Sequence, residues 1–534
     1  MTDTRKRVPQ RTVLAVAAVL AASVTACSGS ADSTASGSGP VKIYLSDPTY
    51  LAPAQANEIN GIQVDNALFT GLVTYDTSTL EPVLANAASI TTTNNSVWTI
   101  KLKPGWTFHN GAPVTAQSYI DSWNYVANPK NGQNNASLLD RIKGYQAMAD
   151  GHGKVATLSG LAKVDDLTFT VTLASPYSDF KRMLGATAFF PMPAAAFADP
   201  DKFNRQPIGN GPFRMASEWQ HNQPIDLTAY AGYKGTKPQV DAIEFKPYTS
   251  AQSAYSDLLA GNLDIDPSIP APSVSGAKAQ LDGRVLVKPS TGVYYIGLPA
   301  TTYDKAAVRQ AISMAIDRET IASKILNGTA RPADAIVSPA ISGYQAGSCG
   351  EACQYDAAAA KAKFDAAGGL PGNKVQIMTD LSSGAKPWVD AVCQQITNAL
   401  SVKCETVTKP TLANFLTALA SPHLTTGFRW RWNTQFPSFE NELQPQFACK
   451  STSNHSGYCS TTFQDQLSAG ERAADPAQAQ QHFTDAAKTV TTDMPQIPLF
   501  YSNIVAGFSS KVTNVKISAF DQLIDFTSLR RSGS

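Results

Sequence analysis

The sequence has almost no excess of either charge. Its 534 residues include 43 Lys and Arg against 42 Asp and Glu, so the formal net charge is +1. Nucleic-acid binding needs a clustered positive field, and the basic residues form no dense run beyond the first dozen positions. The composition therefore argues against a nucleic acid as partner.

Long hydrophobic runs are also missing. The most extended one, residues 13–24, is too short to span a bilayer but is typical of a signal-peptide core. Arg5, Lys6, Arg7 and Arg11 precede it. We predict that residues 1–26 are a secretion signal, after whose removal 39 basic and 41 acidic side chains remain.

The apolar run ends in Val-Thr-Ala-Cys at residues 24–27, which resembles the lipobox of bacterial lipoproteins. The resemblance implies that the thiol of Cys27 carries lipid, including palmitate, and anchors the mature protein. An ordinary small-residue cleavage site with an incidental cysteine is the alternative. Residues 27–40 are mainly Ser, Gly, Ala and Thr, which predicts a flexible tether to the membrane.

Cysteine is absent from residues 28–348, and six of the seven cysteines form three close pairs in the C-terminal half. An even number in an exported chain favours disulfides, and although six cysteines allow fifteen pairings, closeness favours the local ones. The local set is Cys349–Cys353, Cys393–Cys404 and Cys449–Cys459. A zinc site formed by Cys449, His455 and Cys459 is the alternative, although no fourth ligand stands at a usual spacing.

Recognisable catalytic motifs are absent as well. The six histidines form no His-Glu-x-x-His, and the chain has no Gly-x-Ser-x-Gly and no P-loop. His109 has no acid or nucleophile pattern nearby, so we interpret it as structural. We predict no enzyme, no metal and no cofactor. A secreted hydrolase with a dispersed Ser-His-Asp set is the enzymatic alternative, because such a set is assembled in space.

Residues 98–116 predict a hairpin followed by a helix. Alternate residues of 98–102 are apolar, Pro-Gly and Asn-Gly turns follow, and Thr115 is placed to cap a helix that carries Tyr119 and Trp123.

This segment and several others resemble, in the same order, the family 5 extracellular solute-binding proteins, which include the oligopeptide- and dipeptide-binding receptors of ABC importers. One of them, Pro-Ile-Gly-Asn-Gly-Pro-Phe at 207–213, departs from the family pattern at Asn210 and Phe213. The other segments are 68–72 (Leu-Phe-Thr-Gly-Leu), 81–85 (Glu-Pro-Val-Leu-Ala), 258–265, 308–318 (Val-Arg-Gln-Ala to Ala-Ile-Asp-Arg) and 494–501.

The resemblance implies an α/β, periplasmic-binding-protein-like fold with two lobes, an additional subdomain inserted in lobe 1, and a ligand cleft between the lobes. The length agrees, because 508 mature residues exceed what one hydrophobic core usually holds. The implied boundaries are residues 41–75, 190–289 and 503–534 for lobe 1, 76–189 for the inserted subdomain, and 290–502 for lobe 2.

Several elements of lobe 2 follow from local patterns. Residues 305–316 carry one apolar stripe and predict a packing helix, and a second helix at 356–366 is stopped by two glycines. Residues 375–379, 387–400 and 402–407 predict a β-α-β unit. Its helix and second strand can bring Cys393 to Cys404 on facing sides.

The segment Phe-Arg-Trp-Arg-Trp-Asn-Thr-Gln-Phe-Pro at 428–437 has no carboxylate, and its side chains alternate as in a strand. One face holds Arg429, Arg431 and Asn433, and the other holds Trp430, Trp432 and Thr434. Such a mixture suits an extended polar ligand, and an arginine stem stacked on a core tryptophan is the alternative.

In the peptide-binding members of the family, a strand that ends in Trp-x-x-Asp-Tyr pairs with the ligand backbone, and its Asp holds the ligand's amino group. Here Gln435 and Phe436 replace the Asp and the Tyr. The resemblance implies that Arg431, Trp432 and Asn433 lie beside the ligand backbone, with Arg429 available for an anionic group. Because an amide binds an ammonium less strongly than a carboxylate does, Gln435 predicts weak discrimination between free and N-blocked peptides.

Two further groups of ligand contacts are expected. Asn57, Glu58, Ile59 and Asn60 fall where the family places its opposing contact. Tyr294 and Tyr295 are adjacent in a predicted strand, so they point to opposite sides and one of them can line the cleft.

The predicted function is capture of peptides, or similar extended polar ligands, for an ABC importer with permease subunits and cytoplasmic ATPases. We expect a monomer, lipid-anchored at the extracellular face of the membrane or in an equivalent periplasmic space. A receptor for an oligosaccharide or other non-peptide is the alternative, since the family also includes sugar, nickel and opine receptors and Trp430 or Trp432 could stack on sugars.

Overall fold

The computed structural model of the protein describes residues 39–151 and 154–533. The predicted signal peptide, Cys27 and all but the end of the tether lie outside these residues. Within them, no helix has the length and apolar character needed to cross a bilayer.

The described residues form strands and helices in a mixed order, which confirms the predicted α/β class. The strands are β1 (Val41–Leu45), β2 (Val73–Tyr75), β3 (Pro82–Leu84), β4 (Ala87–Thr92), β5 (Val97–Leu102), β6 (Leu161–Asp165), β7 (Thr168–Thr172), β8 (Phe213–Met215), β9 (Ile225–Ala229), β10 (Ala242–Pro247), β11 (Ile265–Asp266), β12 (Val285–Gly297), β13 (Ala330–Pro332), β14 (Lys374–Asp380), β15 (Lys403–Lys409), β16 (Gly427–Trp432), β17 (Gln496–Phe508), β18 (Val512–Thr513) and β19 (Arg530–Arg531). The α-helices are α1 (Ile59–Leu68), α2 (Ala116–Ala127), α3 (Tyr145–Asp150), α4 (Phe180–Met183), α5 (Ala195–Ala198), α6 (Pro200–Arg205), α7 (Ala251–Leu259), α8 (Val274–Gln280), α9 (Ala306–Met314), α10 (Arg318–Lys324), α11 (Ala357–Ala366), α12 (Lys386–Leu400), α13 (Leu412–Leu419), α14 (Phe439–Phe447), α15 (Thr461–Arg472) and α16 (Pro476–Asp493).

Two long strands, β12 and β17, join the halves of the main sheet. They pair antiparallel over their length, with register shifts between Pro289 and Val293 and between Tyr294 and Tyr295. The strand order is β15-β14-β16-β12-β17-β11-β1-β10-β9-β8, and β13 pairs with β17. Chain segments from both ends of the sequence therefore meet in one sheet around these two strands.

A separate four-stranded sheet, β4-β5-β7-β6, lies within the segment predicted as an insertion. In β5 the side chains of Trp98, Ile100 and Leu102 are buried and their neighbours are exposed, as the alternation predicts. Thr115 is the N-cap residue of α2, and its backbone N–H donates to the Ser118 hydroxyl at 3.2 Å. The helix α2 buries aromatic side chains against this sheet, and together they form the hydrophobic core of this segment. The exact boundaries of the lobes and the insertion stay a prediction.

The motif at 207–213 is explained by close packing against the end of α1. A Cβ on Gly209 would lie 1.8 Å from the Leu68 carbonyl oxygen, so only glycine fits there. Asn210 accepts from the Thr70 N–H and donates to the Thr70 carbonyl, both at 2.9 Å. Beside it, His109 accepts from the Gly209 N–H at 3.1 Å, and burial lowers its pKa to about 4. The predicted structural role of His109 agrees with these contacts.

The elements predicted between residues 305 and 407 are present. The helix α9 covers most of the predicted 305–316, and α11 begins after its N-cap residue Asp356. The strands β14 and β15 pair in parallel around α12, as a β-α-β unit requires. The three predicted disulfides are Cys349–Cys353, Cys393–Cys404 and Cys449–Cys459, with Cα atoms 5.6, 4.9 and 4.7 Å apart.

The zinc alternative is wrong, because Cys449 and Cys459 are bonded to each other. Among the residues that the structure describes, no group of three or more His, Cys, Asp or Glu is arranged to hold a metal ion.

Candidate functional site

A cleft of about 1180 Å³ lies where the C-terminal end of β16 meets the start of α1 and the C-terminal segment. It is lined by several separate chain segments: 57–59, 69–77, 83–85, 134–138, 185–187, 233–236, 290–291, 431–435 and 516–527. Residues brought together from such distant parts of the sequence make this the candidate ligand site.

The alternation of β16 decides which of its side chains enter the cleft. Arg431 lines the cleft, as do Asn433 and Gln435 beyond the end of the strand. Trp432 points the other way, is 8% exposed, and donates from its indole nitrogen to the Asn441 carbonyl at 3.1 Å. The loop after the strand is held by the Asn441 side chain, whose oxygen accepts from the Gln435 N–H at 2.8 Å.

Among the described residues, no acidic side chain forms an ion pair with Arg431. Its guanidinium carbon is 5.2 Å from the centre of the Tyr294 ring, and one of its nitrogens donates to the Ser502 hydroxyl at 3.5 Å. A Cβ on Gly292 would lie 2.7 Å from the Asn433 side-chain oxygen and 3.2 Å from Arg431. The absence of a side chain at Gly292 therefore makes room for these two cleft residues.

Arg429 is placed away from the cleft lining, although it was expected to meet an anionic ligand group. Its guanidinium pairs with the carboxylate of Asp380, whose side chain is fully buried, and lies over the Phe415 ring at 4.7 Å. Burial raises the pKa of Asp380, but hydrogen bonds from Ser382 and Arg429 outweigh this and leave the pKa at about 2. The reason for the difference is that Asp380 ends β14, which runs beside β16 and brings a carboxylate to Arg429.

The aromatic residues predicted to contact ligand also lie outside the cleft lining. The Trp430 ring packs 4.9 Å from the ring of His455. Tyr295 is fully buried and donates to the Ile336 carbonyl at 2.6 Å. Tyr294 is half-buried, and the guanidinium of Arg431 lies over its ring. The two tyrosines do point to opposite sides, as adjacent strand residues must.

The loop before α1 contributes Asn57, Glu58 and Ile59 to the cleft. Glu58 caps the helix, since its carboxylate accepts from the backbone N–H groups of Asn60 at 2.7 Å and Gly61 at 2.8 Å. Asn60 is not part of the cleft lining. Its side chain donates to Glu58 and accepts from the Ser46 N–H, so its amide is occupied in holding the loop.

The C-terminal segment contributes to the cleft, which no pattern in the sequence predicts. Residues 516–527 form one wall of the cleft and bring in Lys516, Asp521 and Asp525. They contain no motif and no periodic pattern, so nothing local indicates that they lie beside β16.

Comparison with known proteins agrees with this fold. The family model described as bacterial extracellular solute-binding proteins, family 5 Middle, matches residues 79–454. The periplasmic murein peptide-binding protein MppA of Escherichia coli is 29% identical over 300 residues, 55% of each chain. The glutathione-binding protein GsiB of Pectobacterium atrosepticum is 24% identical over 490 residues, covering 90% of this chain and 91% of that protein.

The chain spans about half the length of curated relatives such as MppA and the dipeptide-binding protein DppE of Bacillus subtilis. Among solved structures, the unliganded open form of MppA matches with a TM-score of 0.80 at 22% identity, covering 92% of this chain and 97% of that one. Haemophilus influenzae OppA in complex with the peptide RPPGFSPFR matches with a TM-score of 0.74 at 19% identity, covering 92% and 99%. These similarities confirm the two-lobed fold.

Proposed function

The chain belongs to the bacterial extracellular solute-binding proteins of family 5, and on that basis we propose that it captures peptides in its cleft and delivers them to the permease of an ABC importer. The observation that carries the proposal is the cleft at the end of β16, where Arg431, Asn433 and Gln435 face Asn57 to Ile59. Its volume of about 1180 Å³ exceeds the roughly 300–1,000 Å³ of an ordinary small-molecule pocket. A cleft of this size suits an extended ligand.

The edge of β16 supports an extended, peptide-like ligand. On one side of β16, only Gly427 and Phe428 pair with β14. On the other side, residues 428–432 of β16 pair with β12. The edge from Arg429 onward therefore has no strand partner within the described part of the chain. A ligand backbone can add to such an edge as a further strand, so that its hydrogen bonds do not depend on its side chains.

The oligosaccharide alternative has less support. Stacking on sugars would require an exposed indole in the cleft, but neither Trp430 nor Trp432 belongs to its lining, and Trp106, which does, is only 5% exposed. Apart from Ile59, the predicted contacts that do line the cleft are polar or charged, which favours a ligand with many backbone amides.

Calorimetry with a set of short peptides tests the proposal. Arg431→Met should weaken binding by about tenfold or more, because a charged hydrogen bond to a ligand carbonyl or carboxylate is worth roughly 1.5–3 kcal/mol. Lys101→Met, in an exposed position of β5, is the matched control and should bind as the wild type does. Failure of every peptide to bind, together with binding of oligosaccharides, would contradict a peptide ligand.

The same experiment addresses the hydrolase alternative. We propose that the protein is a receptor and not an enzyme, so peptides recovered after incubation should be unchanged in mass. Cleaved products that accumulate with time would contradict this.

We also propose that Cys27 carries lipid and holds the protein, as a monomer, at the extracellular face of the membrane beside its permease. The charged start, the short apolar run and the Val-Thr-Ala-Cys sequence support this. Cys27→Ala should release the protein to the medium or leave an unprocessed precursor. A processed Cys27→Ala protein that still partitions into the detergent phase would contradict the anchor.

A further inference from the structure

Four carboxylates line the cleft: Glu58, Asp76, Asp521 and Asp525. Three of them are already engaged by the protein. Glu58 caps α1, Asp76 accepts from the N–H groups two and three residues ahead at 2.9 and 2.8 Å, and Asp525 accepts from the Thr527 N–H at 3.1 Å. For Asp521, no donor is present among residues 39–151 and 154–533.

Another acid close to β16 in sequence is not available to the cleft. Glu440 is buried outside the cleft lining, where its carboxylate meets Arg141 at 3.1 Å and the Tyr177 hydroxyl at 2.7 Å. Asp521 is therefore the cleft carboxylate that is free to bind a ligand.

The backbone around Asp521 is held in place on both sides. Phe520, before it, is buried and packs against Tyr75 with ring centres 5.4 Å apart. After it, the Gln63 side chain on α1 donates to the Gln522 carbonyl at 3.3 Å and accepts from the Ile524 N–H at 3.0 Å. The position of the Asp521 carboxylate is thus set by the surrounding fold.

Asp521 and Gln522 both adopt left-handed backbone conformations, with φ of 48° and 52°. This conformation costs roughly 1–2 kcal/mol for an ordinary residue, although Asp and Asn tolerate it better than most. Two such residues in a row persist only where the surroundings impose them, and they occur preferentially at ligand sites.

The electrostatic setting of Asp521 favours a cationic ligand group. Burial raises its pKa to about 7, while the Arg431 guanidinium acts in the opposite direction. The two side chains do not form an ion pair, so Arg431 supplies a field but no hydrogen bond. Asp521 is half-buried in the cleft wall, and a carboxylate there that accepts from no protein donor gains from a charged ligand donor, because such hydrogen bonds are about twice as strong as neutral ones.

We propose that Asp521 accepts an ammonium group of the bound ligand and supplies the negative charge that Gln435 lacks. This inference rests on the proposed function, since it assumes a peptide in the cleft. It reverses the expectation of weak discrimination that Gln435 alone suggested. Arg431, in the same cleft, is then left for a carbonyl or carboxylate of the same ligand.

Competition between peptide pools, measured by native mass spectrometry, tests the inference. The pools contain three- to six-residue peptides of Gly, Ala, Ser and Leu with either a free or an acetylated amino terminus, plus an acetylated pool with one lysine. The wild type should retain free-amine peptides at least tenfold over acetylated ones. The lysine pool shows whether an ammonium on a side chain serves as well as one at the amino terminus.

Asp521→Asn is the decisive variant, because Asn tolerates the left-handed conformation and keeps the shape of the side chain. It should bind free and acetylated peptides about equally. Asp226→Asn, an exposed carboxylate of β9, is the matched control and should keep the wild-type preference.

Three outcomes would overturn the inference. They are a wild type without preference, an Asp521→Asn variant that retains it, and an equal loss of both pools in that variant, which would mean that Asp521 pairs with Arg431 when the cleft closes. In each case the wild type still retains peptides, so the proposed function survives. Retention of no peptide at all would instead overturn the proposed function, and this inference with it.

Discussion

Arg429 and Arg431 stand two residues apart on one face of a strand, yet their surroundings give them different roles. Arg429 neutralises a buried carboxylate, and Arg431 has no acidic partner among the described residues and lines the cleft. At the scale of the residue, the charge of a side chain matters less than whether the fold has already supplied its counter-charge.

The two arginines should therefore respond differently to substitution. Arg429→Met leaves Asp380 buried without its cation and should lower the free energy of unfolding by about 3 kcal/mol or more, because breaking a buried ion pair is costly. Arg431→Met should change it by less than about 1 kcal/mol and weaken ligand binding instead. Urea unfolding of both variants checks this, and equal stability of the two would contradict the assignment.

The pKa of Asp380 adds a pH dependence to that comparison. Its pKa is lowered to about 2 in the fold, so its contribution to stability is present above the ordinary aspartate pKa near 4 and is lost as the pH falls from about 4 to 2. The difference in stability between wild type and Arg429→Met should shrink over that interval.

Asp521 should make ligand binding pH-dependent. Its pKa of about 7 means that the carboxyl is largely protonated below neutrality, and an ammonium binds well only to the ionised form. Affinity for a free-amine peptide should therefore fall by up to about tenfold per pH unit between pH 7 and 5.5. Calorimetry across this range is the measurement.

The charged and titratable groups around Asp521 include Arg431 on β16, Tyr75 on β2, Glu58 before α1, and Lys516 and Asp525 on its own segment. They remain in the Asp521→Asn variant, which is therefore the proper control. The loss of affinity at low pH should be absent in that variant, and also in the wild type with acetylated peptides. The same loss of affinity in both proteins would assign the titration to another group.

At the scale of elements, the disulfide Cys393–Cys404 ties α12 to β15 within the β-α-β unit. It closes a loop with a sequence separation of 11, for which chain entropy predicts about 2–3 kcal/mol of stabilisation. The double variant Cys393→Ala/Cys404→Ala should lose about this much without losing ligand affinity, because the bond lies outside the cleft lining. Chemical unfolding and calorimetry on the same preparations check both parts, and a loss of affinity would link this unit to the site.

At the scale of the whole molecule, β12 and β17 are the connection that a closing motion must bend. Their pairing shifts register between Pro289 and Val293, next to the cleft residues Ser290 and Thr291. Irregular pairing at a crossover is a natural place for a hinge, and closure around a ligand is the usual motion of binding proteins with two lobes.

Ligand binding should therefore compact and stabilise the protein. A bound peptide at a hundred times its dissociation constant should raise the free energy of unfolding by about 2.7 kcal/mol. Small-angle X-ray scattering should show a smaller radius of gyration with ligand than without it. Stabilisation without compaction would mean that binding does not close the cleft.

The sequence alone was sufficient for the properties that depend on near neighbours. Strand alternation separated Arg431 from Trp432, spacing paired the six cysteines, apolar stripes placed α9 and α12, and a pair of glycines marked the end of α11. These predictions succeed because each depends on the geometry of one helix or strand, or on a short loop. The motifs that occur in the family's order identified the family, and the family in turn implied the two-lobed fold.

Only the tertiary structure decided which charges are available to a ligand. Asp380 reaches Arg429 from 49 residues earlier, and Asp521 enters the cleft from the C-terminal segment, where no local pattern indicates its neighbours. Ion pairing and desolvation depend on through-space distance and on buried surface. Neither is encoded in the spacing of residues along a strand, and for that reason the sequence indicated that Arg431 and Asn433 share one face but not that Asp521 lies in the same cleft lining.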